Sequence, residues 1–353
     1  QLRGLLDQRG SLALEAPVFV SRHGRALTPF GIYKLVRRPA RLLGAPASPR
    51  LSPGEVGRRH APIHESLTIL QSAATPCDIA WETDAARGEE MLAAADVIVF
   101  HCGIWDWGGK SQGSDKAFLG IDTHEVPQWK KWADPARAVI WLDGSTAVRH
   151  DPDRWRARYQ GFRICATNPD VAELYGAEWV PACVAPDVDL GRLSRPAVDR
   201  DKRILVHPYT DVELKGHRHV ANAASTQPRW ECHPLQGLAH NDCLVQMARS
   251  DCVVDHFQGY FGVVTLEATA LGRPVLLRID PLTAQTMARY GWPIPASWLH
   301  VESEGRLGAW LSALSDAPLD LWHEYHDLAR QWWINFGRNE HRIERFIAWL
   351  SRS

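Results

Sequence analysis

The chain has 353 residues, enough for two domains that each bury a core. Its 40 Lys and Arg stand against 41 Asp and Glu, a net charge of −1, so no overall field draws it to nucleic acid or acidic lipid. There is no run of 18 apolar residues and no signal-peptide pattern, so no integral membrane segment is expected in the sequence given. The chain begins at Gln1 rather than Met and reads as a fragment or a trimmed form. Its seven cysteines are scattered and form no CxxC pair, which fits buried thiols in a reducing compartment. Cys232-His233 and His217-x-His219 have poor spacing for a tetrahedral metal site, and no metal is expected.

Residues 1–60 differ from the rest. From Arg22 to Arg59 there are nine Lys or Arg and one acid, Glu55. Leu27 to Leu43 has helical apolar spacing, with Thr28 as a cap before Pro29. A solvated basic helix face is the simpler reading of this run, and DNA contact the alternative. Downstream, no convincing first strand opens the next domain. Ile79 to Trp81 is expected as a strand, Gly88 to Ala95 as a helix, Asp96 to Phe100 as a strand and Gly103 to Asp115 as a loop. Ala138 to Leu142 is the next expected strand, ending at Asp143. Proline and glycine between Val180 and Pro196 mark a linker. A second domain is expected from about Lys202, with a strand at Ile204 to Val206 and a turn at Lys215-Gly216.

Residues 251–277, DCVVDHFQGYFGVVTLEATALGRPVLL, carry the densest signal. A strand, Cys252 to Val254, ends at Asp255 and His256. A turn bearing Gly259 and Gly262 leads to a helix over Val263 to Leu271, and Gly272-Arg273-Pro274 breaks it before the run Val275 to Ile279. A helix that starts after a tight glycine turn presents unpaired amides and a positive dipole end to an anion. Gly262 allows close approach to the backbone, and Glu267 lies one turn into the helix. Leu321 to Leu350 is a long helical region interrupted near Gly337. The 16 Trp, several of them near the C-terminus, read as packing rather than sugar stacking.

This stretch resembles the nucleotide-sugar site of GT-B glycosyltransferases of the family-four, or group 1, type, with its Gly-Phe-Gly-like turn, Leu-Glu-Ala and Gly-Lys/Arg-Pro-Val. Asp96 to His101, Leu142 to Arg149 (LDGSTAVR), Ile164 to Pro181 and Ile204 to Gly216 resemble further family segments in the same order, over roughly residues 90–350. Gly259 stands where the family often has the first acid of Glu-x7-Glu, although one branch also has Gly there. Val212 stands where that branch has Arg, and Asp143 where the family has His. Residues 17–45 faintly resemble a tyrosine recombinase fragment, without that family's His-x-Leu-Arg-His motif or its nucleophile segment.

The resemblance implies an α/β GT-B fold, two Rossmann-like domains facing a cleft, with the N-terminal one incomplete and a helical basic appendage before it. The expected divisions are 1–60 (appendage), 61–182 (acceptor side), 183–335 (nucleotide-sugar domain) and 336–353 (a helix crossing back). It implies a hexosyltransferase of polysaccharide or glycoconjugate assembly that uses a nucleoside-diphosphate sugar and an acceptor hydroxyl. It further implies retention of configuration, no metal and no cofactor, in the cytoplasm or at the inner face of a membrane. Lys215, Gly262, Val263, Val264 and Glu267 are the expected donor-binding residues. His101 and Asp143 are the expected catalytic pair, and Ser145, Arg149, Asp255 and His256 the expected acceptor or cleft residues. The alternatives are a degenerate GT-B protein that binds nucleotide sugar without transfer, and nucleic-acid binding through the basic segment.

Overall fold

The computed structural model describes residues 31–32, 97–101, 134–142, 148–149, 152–182, 184, 189–209, 212, 215–350 and 352. The expected basic helix, the expected elements between 61 and 95, the loop at 103–115, Asp143 and Ser145 therefore lie outside the described residues, save Gly31 and Ile32.

The chain forms two compact units. The smaller holds residues 1–50, 66–140 and 161–163; the larger holds 51–65, 141–160 and 164–353. In the smaller unit, β1 (Gly31–Ile32) pairs in parallel with β2 (Ile98–His101). Glycine is a poor helix former and β-branched Ile favours a pleated surface, so local preference here did not oppose pairing. The rest of the segment Leu27 to Leu43, where a helix is expected, lies outside the described residues. The amide of Ile98 donates to the carbonyl of Arg137 (2.8 Å), just ahead of β3 (Ala138–Leu142), whose five residues are all buried.

In the larger unit, α1 (Pro152–Arg158) precedes β4 (Arg163–Ala166), and the Thr167 amide donates to Leu142 O (2.9 Å) at the end of β3. Asn168 and Pro169 then start α2 (Pro169–Tyr175), because proline's missing amide and fixed φ suit the first helical turn. Gly176, at φ 59°, ends the helix by donating back to Ala172 O and Glu173 O. β5 (Glu178–Trp179) pairs with β4 in parallel.

After the short α3 (Leu190–Leu193), a second sheet begins. Its strands are β6 (Arg203–Pro208), β7 (Trp230–Leu235), β8 (Cys252–Val254), β9 (Val275–Leu277) and β10 (Trp298–His300). Their order is β10-β9-β8-β6-β7, with all pairs parallel. Parallel strands need crossovers, and each of the four here contains a helix: α4 (His217–Ser225), α5 (His240–Arg249), α6 (Val263–Ala270) and α7 (Pro281–Arg289). Helical cover explains why the central strands are apolar without alternation: β8 and β9 are buried at every position. Leu205, Val254, Leu276 and Leu299 from four strands share one core with Trp230 and Trp322.

α8 (Leu307–Ser315) and α9 (Leu319–Trp332) come next, then a π-helical turn over Trp333–Gly337 and α10 (Asn339–Leu350). The break falls at Gly337, where a side chain would run into the Trp333 ring. Phe346 of α10 meets Trp141 of β3 edge-on at 4.8 Å.

The segment after β4 packs on the surroundings of the second sheet. Trp179 meets Phe261 (6.2 Å), Tyr290 (5.5 Å) and Trp292 (4.9 Å), all edge-on. Trp292 and Trp298 both meet Trp332, at 5.5 and 5.4 Å. These tryptophans are spent on packing.

Candidate functional site

The C-terminal ends of β6 and β8 lie side by side, and the turns that leave these two strands converge there. After β8 the chain leaves the sheet at Asp255 and His256, both buried, and turns through Gly259 to Gly262. Gly259 has a φ of 93°, open to glycine at little cost, and a β-carbon there would lie 2.7 Å from Asp280 Oδ2. Phe261 sinks into the aromatic cluster against Trp298 (4.9 Å), which anchors the turn and leaves Gly262 as the cap of α6.

Lys215 Nζ donates to Asp255 Oδ1 across 40 residues of sequence. The other carboxylate oxygen, Oδ2, accepts from the Gly262 amide (3.0 Å) and from the Thr265 hydroxyl (2.7 Å). Asp255 thus sits at the positive end of α6 with three donors, the arrangement a helix start favours for a negative group. Burial alone would raise its pKa, but Lys215, then His256, and the hydrogen bonds from Lys215 and Thr265 hold it well below the usual carboxylate range. A β-carbon on Gly262 would lie 3.8 Å from Lys215 Nζ, so the ammonium is at the helix start itself. The turn carrying Lys215 closes through His217 N donating to Val212 O (3.0 Å). Among the described residues, no acceptor meets the amides of Val263 and Val264.

Glu267 is buried, and its Oε1 pairs with His240 Nε2 at 2.6 Å. A protein donor therefore meets this carboxylate, on the ring of the half-exposed residue that begins α5. His256 is held near its ordinary neutral form by burial, which lowers its pKa to about 4; Asp255 opposes the shift, while Lys215 and Arg149 add to it. Its ring meets Tyr260 edge-on at 4.4 Å. Arg149, in a helical turn, gives Nε and Nη2 to the two oxygens of Asp170 (2.5 and 3.0 Å) and lies 3.8 Å over the Tyr260 ring. Its guanidinium fork is thus engaged by a carboxylate at the start of α2. Asn168 Nδ2 donates to Phe261 O (3.3 Å), joining the same two segments.

Lys215, Gly262, Val263, Val264, Asp255 and His256 are therefore brought together, with Glu267 one turn along the same helix. His101 is the last residue of β2, in the other unit. Asp143 and Ser145 lie outside the described residues. The histidines whose spacing is poor for a metal each have a separate partner: His217 turns to His207, His219 to Glu304 (3.2 Å) and His233 to Glu231 (2.7 Å). Two features were not expected: the Lys215–Asp255 pair, and the contact of His207 Nδ1 with His217 Nδ1 at 3.2 Å. The only advance signal was an acid after an apolar strand and His207 inside the Ile204 to Gly216 segment.

No protein-family model matches the chain, and no curated protein matches it. Solved structures do. A crystal structure of a glycosyltransferase from Rickettsia africae ESF-5 aligns over 87% of this chain and 98% of that one, with 14% identity and a TM-score of 0.50. The fold is that of the GT-B glycosyltransferases. WaaG, a glycosyltransferase involved in lipopolysaccharide biosynthesis, aligns over 69% of this chain and 85% of its own, at 15% identity and a TM-score of 0.47. AviGT4, a glycosyltransferase involved in avilamycin A biosynthesis, aligns over 65% and 77%, at 14% identity and 0.38. At these identities the likeness is one of fold. In this GT-B chain the strand-end turn of the second sheet holds Lys215, Asp255 and the start of α6. Open parallel sheets bind ligands at such strand ends. Among the described residues, no helix is long and apolar enough to cross a membrane.

Proposed function

We propose that this protein transfers a hexose from a nucleoside-diphosphate sugar to an acceptor hydroxyl. The reading rests on one observation: Lys215 and the amide-rich start of α6 are joined through Asp255. An ammonium has three donors, and Asp255 uses one, so the same lysine can also donate to a phosphate oxygen. The Val263 and Val264 amides lie at the helix end that favours an anion. As the glycosidic bond breaks, charge grows on the diphosphate leaving group. Donors already fixed in place lower that barrier, because nothing must reorganise when the charge arrives. This also supports transfer without a metal, since lysine and helix amides supply the stabilisation a cation would give.

Glu267 faces the ribose in this reading. His240 occupies Oε1, and among the described residues nothing hydrogen-bonds Oε2, which is left for a hydroxyl. On the acceptor side, His101 or Asp143 orients or deprotonates the attacking hydroxyl. Retention of configuration, action in polysaccharide or glycoconjugate assembly, and a place in the cytoplasm or at the inner face of a membrane rest on the family resemblance.

A second reading, donor binding without transfer, has its own support. Both cations described near the turn carry a carboxylate partner, Lys215 with Asp255 and Arg149 with Asp170. A thermal-shift panel of UDP-, GDP- and ADP-sugars tests donor binding, because a ligand that binds only the folded chain raises Tm. No shift with any of them counts against both readings. Binding with neither transfer to an acceptor nor hydrolysis selects the second.

A further inference from the structure

We propose that His217 reads the donor substrate: its Nε2 accepts a hydrogen bond from a hydroxyl of the nucleotide sugar, and His207 holds it in the tautomer able to do so. The inference rests on the reading of this site as a nucleotide-sugar site, and adds a residue to it.

The geometry fixes the protons. His207 ends the apolar part of β6 and is fully buried, and its Nε2 lies 3.1 Å from the carbonyl oxygen of Asp255. A carbonyl only accepts, so His207 Nε2 carries the hydrogen. Burial disfavours the imidazolium, with His217 and Lys215 adding to the effect, and the Asp255 carboxylate that would oppose it is engaged by Lys215, Gly262 and Thr265. In neutral His207 the Nδ1 is then a lone pair. It lies 3.2 Å from His217 Nδ1, so His217 must donate there. Neutral His217 is left with its lone pair on Nε2. An imidazole in solution exchanges between two tautomers; here a chain of two hydrogen bonds from the Asp255 carbonyl selects one.

Position makes that lone pair useful. His217 begins α4 two residues after Lys215, and its ring is half-buried, stacked on Tyr209 at 4.4 Å and 28°. The relay and the anion grip share Asp255, one through its backbone carbonyl and the other through its carboxylate. A group that reads hydroxyls is thereby tied to a group that holds phosphate. The parts of a nucleotide sugar on either side of its pyrophosphate, ribose and hexose, are both rich in hydroxyls, whereas inorganic pyrophosphate carries no sugar hydroxyl for that acceptor to read.

Calorimetry on the full chain tests this with two probes: inorganic pyrophosphate, and whichever of UDP-glucose, GDP-mannose and ADP-glucose binds the wild type. His217→Phe keeps the stacked ring and removes the lone pair. It should weaken the sugar nucleotide roughly tenfold, about one hydrogen bond, and leave pyrophosphate unchanged. Equal loss on both probes, or loss on neither, overturns the inference while leaving the proposed function intact if the wild type still binds. A wild type that binds no sugar nucleotide overturns both. Nitrogen-15 spectra of the histidine rings give an independent check: His217 protonated at Nδ1 and bare at Nε2 is expected, and the reverse tautomer sinks the proposal.

Discussion

Lys215 and Asp255 form an ion pair at the start of α6, the lysine side chain 17% exposed and the carboxylate wholly buried. The pair links the turn after β6 to the turn after β8, and Asp255 carries the link on to Gly262 and Thr265. A buried pair of this kind gains little over an apolar one, but breaking it from one side is costly.

Asp255→Ala should therefore lower stability by about 3–5 kcal/mol, the cost of removing one partner of a buried pair. It strands the Lys215 ammonium, the Gly262 amide and the Thr265 hydroxyl together. Urea unfolding of the variant against wild type measures it. A loss under about 1 kcal/mol, typical of exposed pairs, would show that the pair is not buried in solution.

Gly259 gives a second test. Restoring the resembled family's acid there, Gly259→Glu, should damage this chain rather than improve it. The residue has a φ of 93°, and a β-carbon would lie 3.0 Å or less from two atoms of Asp280. The expected loss is about 1–3 kcal/mol from backbone strain alone, with repulsion between two acids added. A variant as stable as wild type in thermal unfolding would remove this explanation of why glycine stands there.

Acid should unfold the protein through its buried histidines. His207 has its pKa lowered to about 3 and His256 to about 4, each chiefly by burial. The unfolded chain takes up these protons near pH 6.5, and the fold does not until lower pH, so stability falls as pH drops from about 6.5 toward those values. Asp255 adds to the loss further down, because its depressed carboxyl stabilises the fold above the unfolded value and stops doing so as the folded group protonates. Tm measured from pH 7.5 to 4 should decline, and His256→Gln should flatten part of that slope. A Tm independent of pH over this range would contradict the burial of both rings.

The aromatic cluster gives a fourth. Trp292 touches Trp179 at 4.9 Å and Trp332 at 5.5 Å and is buried. Trp292→Ala should cost about 3–5 kcal/mol, as large-to-small changes of buried aromatics do. Urea unfolding reads this as a lower midpoint, and an unshifted midpoint would mean that the cluster is not formed.

Much of the second sheet was legible because punctuation bounded it. Gly262, Gly272 and Pro274 frame one helix closely enough that Val263–Ala270 is found one residue short of the expected end. The run Cys252–Val254 matches its strand, and so does Ala138–Leu142. The closeness of Lys215 to that helix could be expected from the resemblance and is met in the structure. Pairing over distance was not legible. Asp255 was an acid after a strand, and nothing local says that its partner lies 40 residues earlier. His207 and His217 are ten residues apart, and only the path of β6 and the turn after it brings their rings together. Arg149 was expected to meet a ligand; Asp170, 21 residues on, meets it first.

In the proposed function Lys215 and the start of α6 together grip a pyrophosphate. Titration calorimetry of a nucleoside-diphosphate sugar onto wild type and Lys215→Ala tests it most directly, with the variant's Tm as the control for folding. The variant should lose about 1.5–3 kcal/mol of binding free energy, the value of a hydrogen bond to a charged group. Equal affinity of the two proteins for the same sugar nucleotide would contradict it.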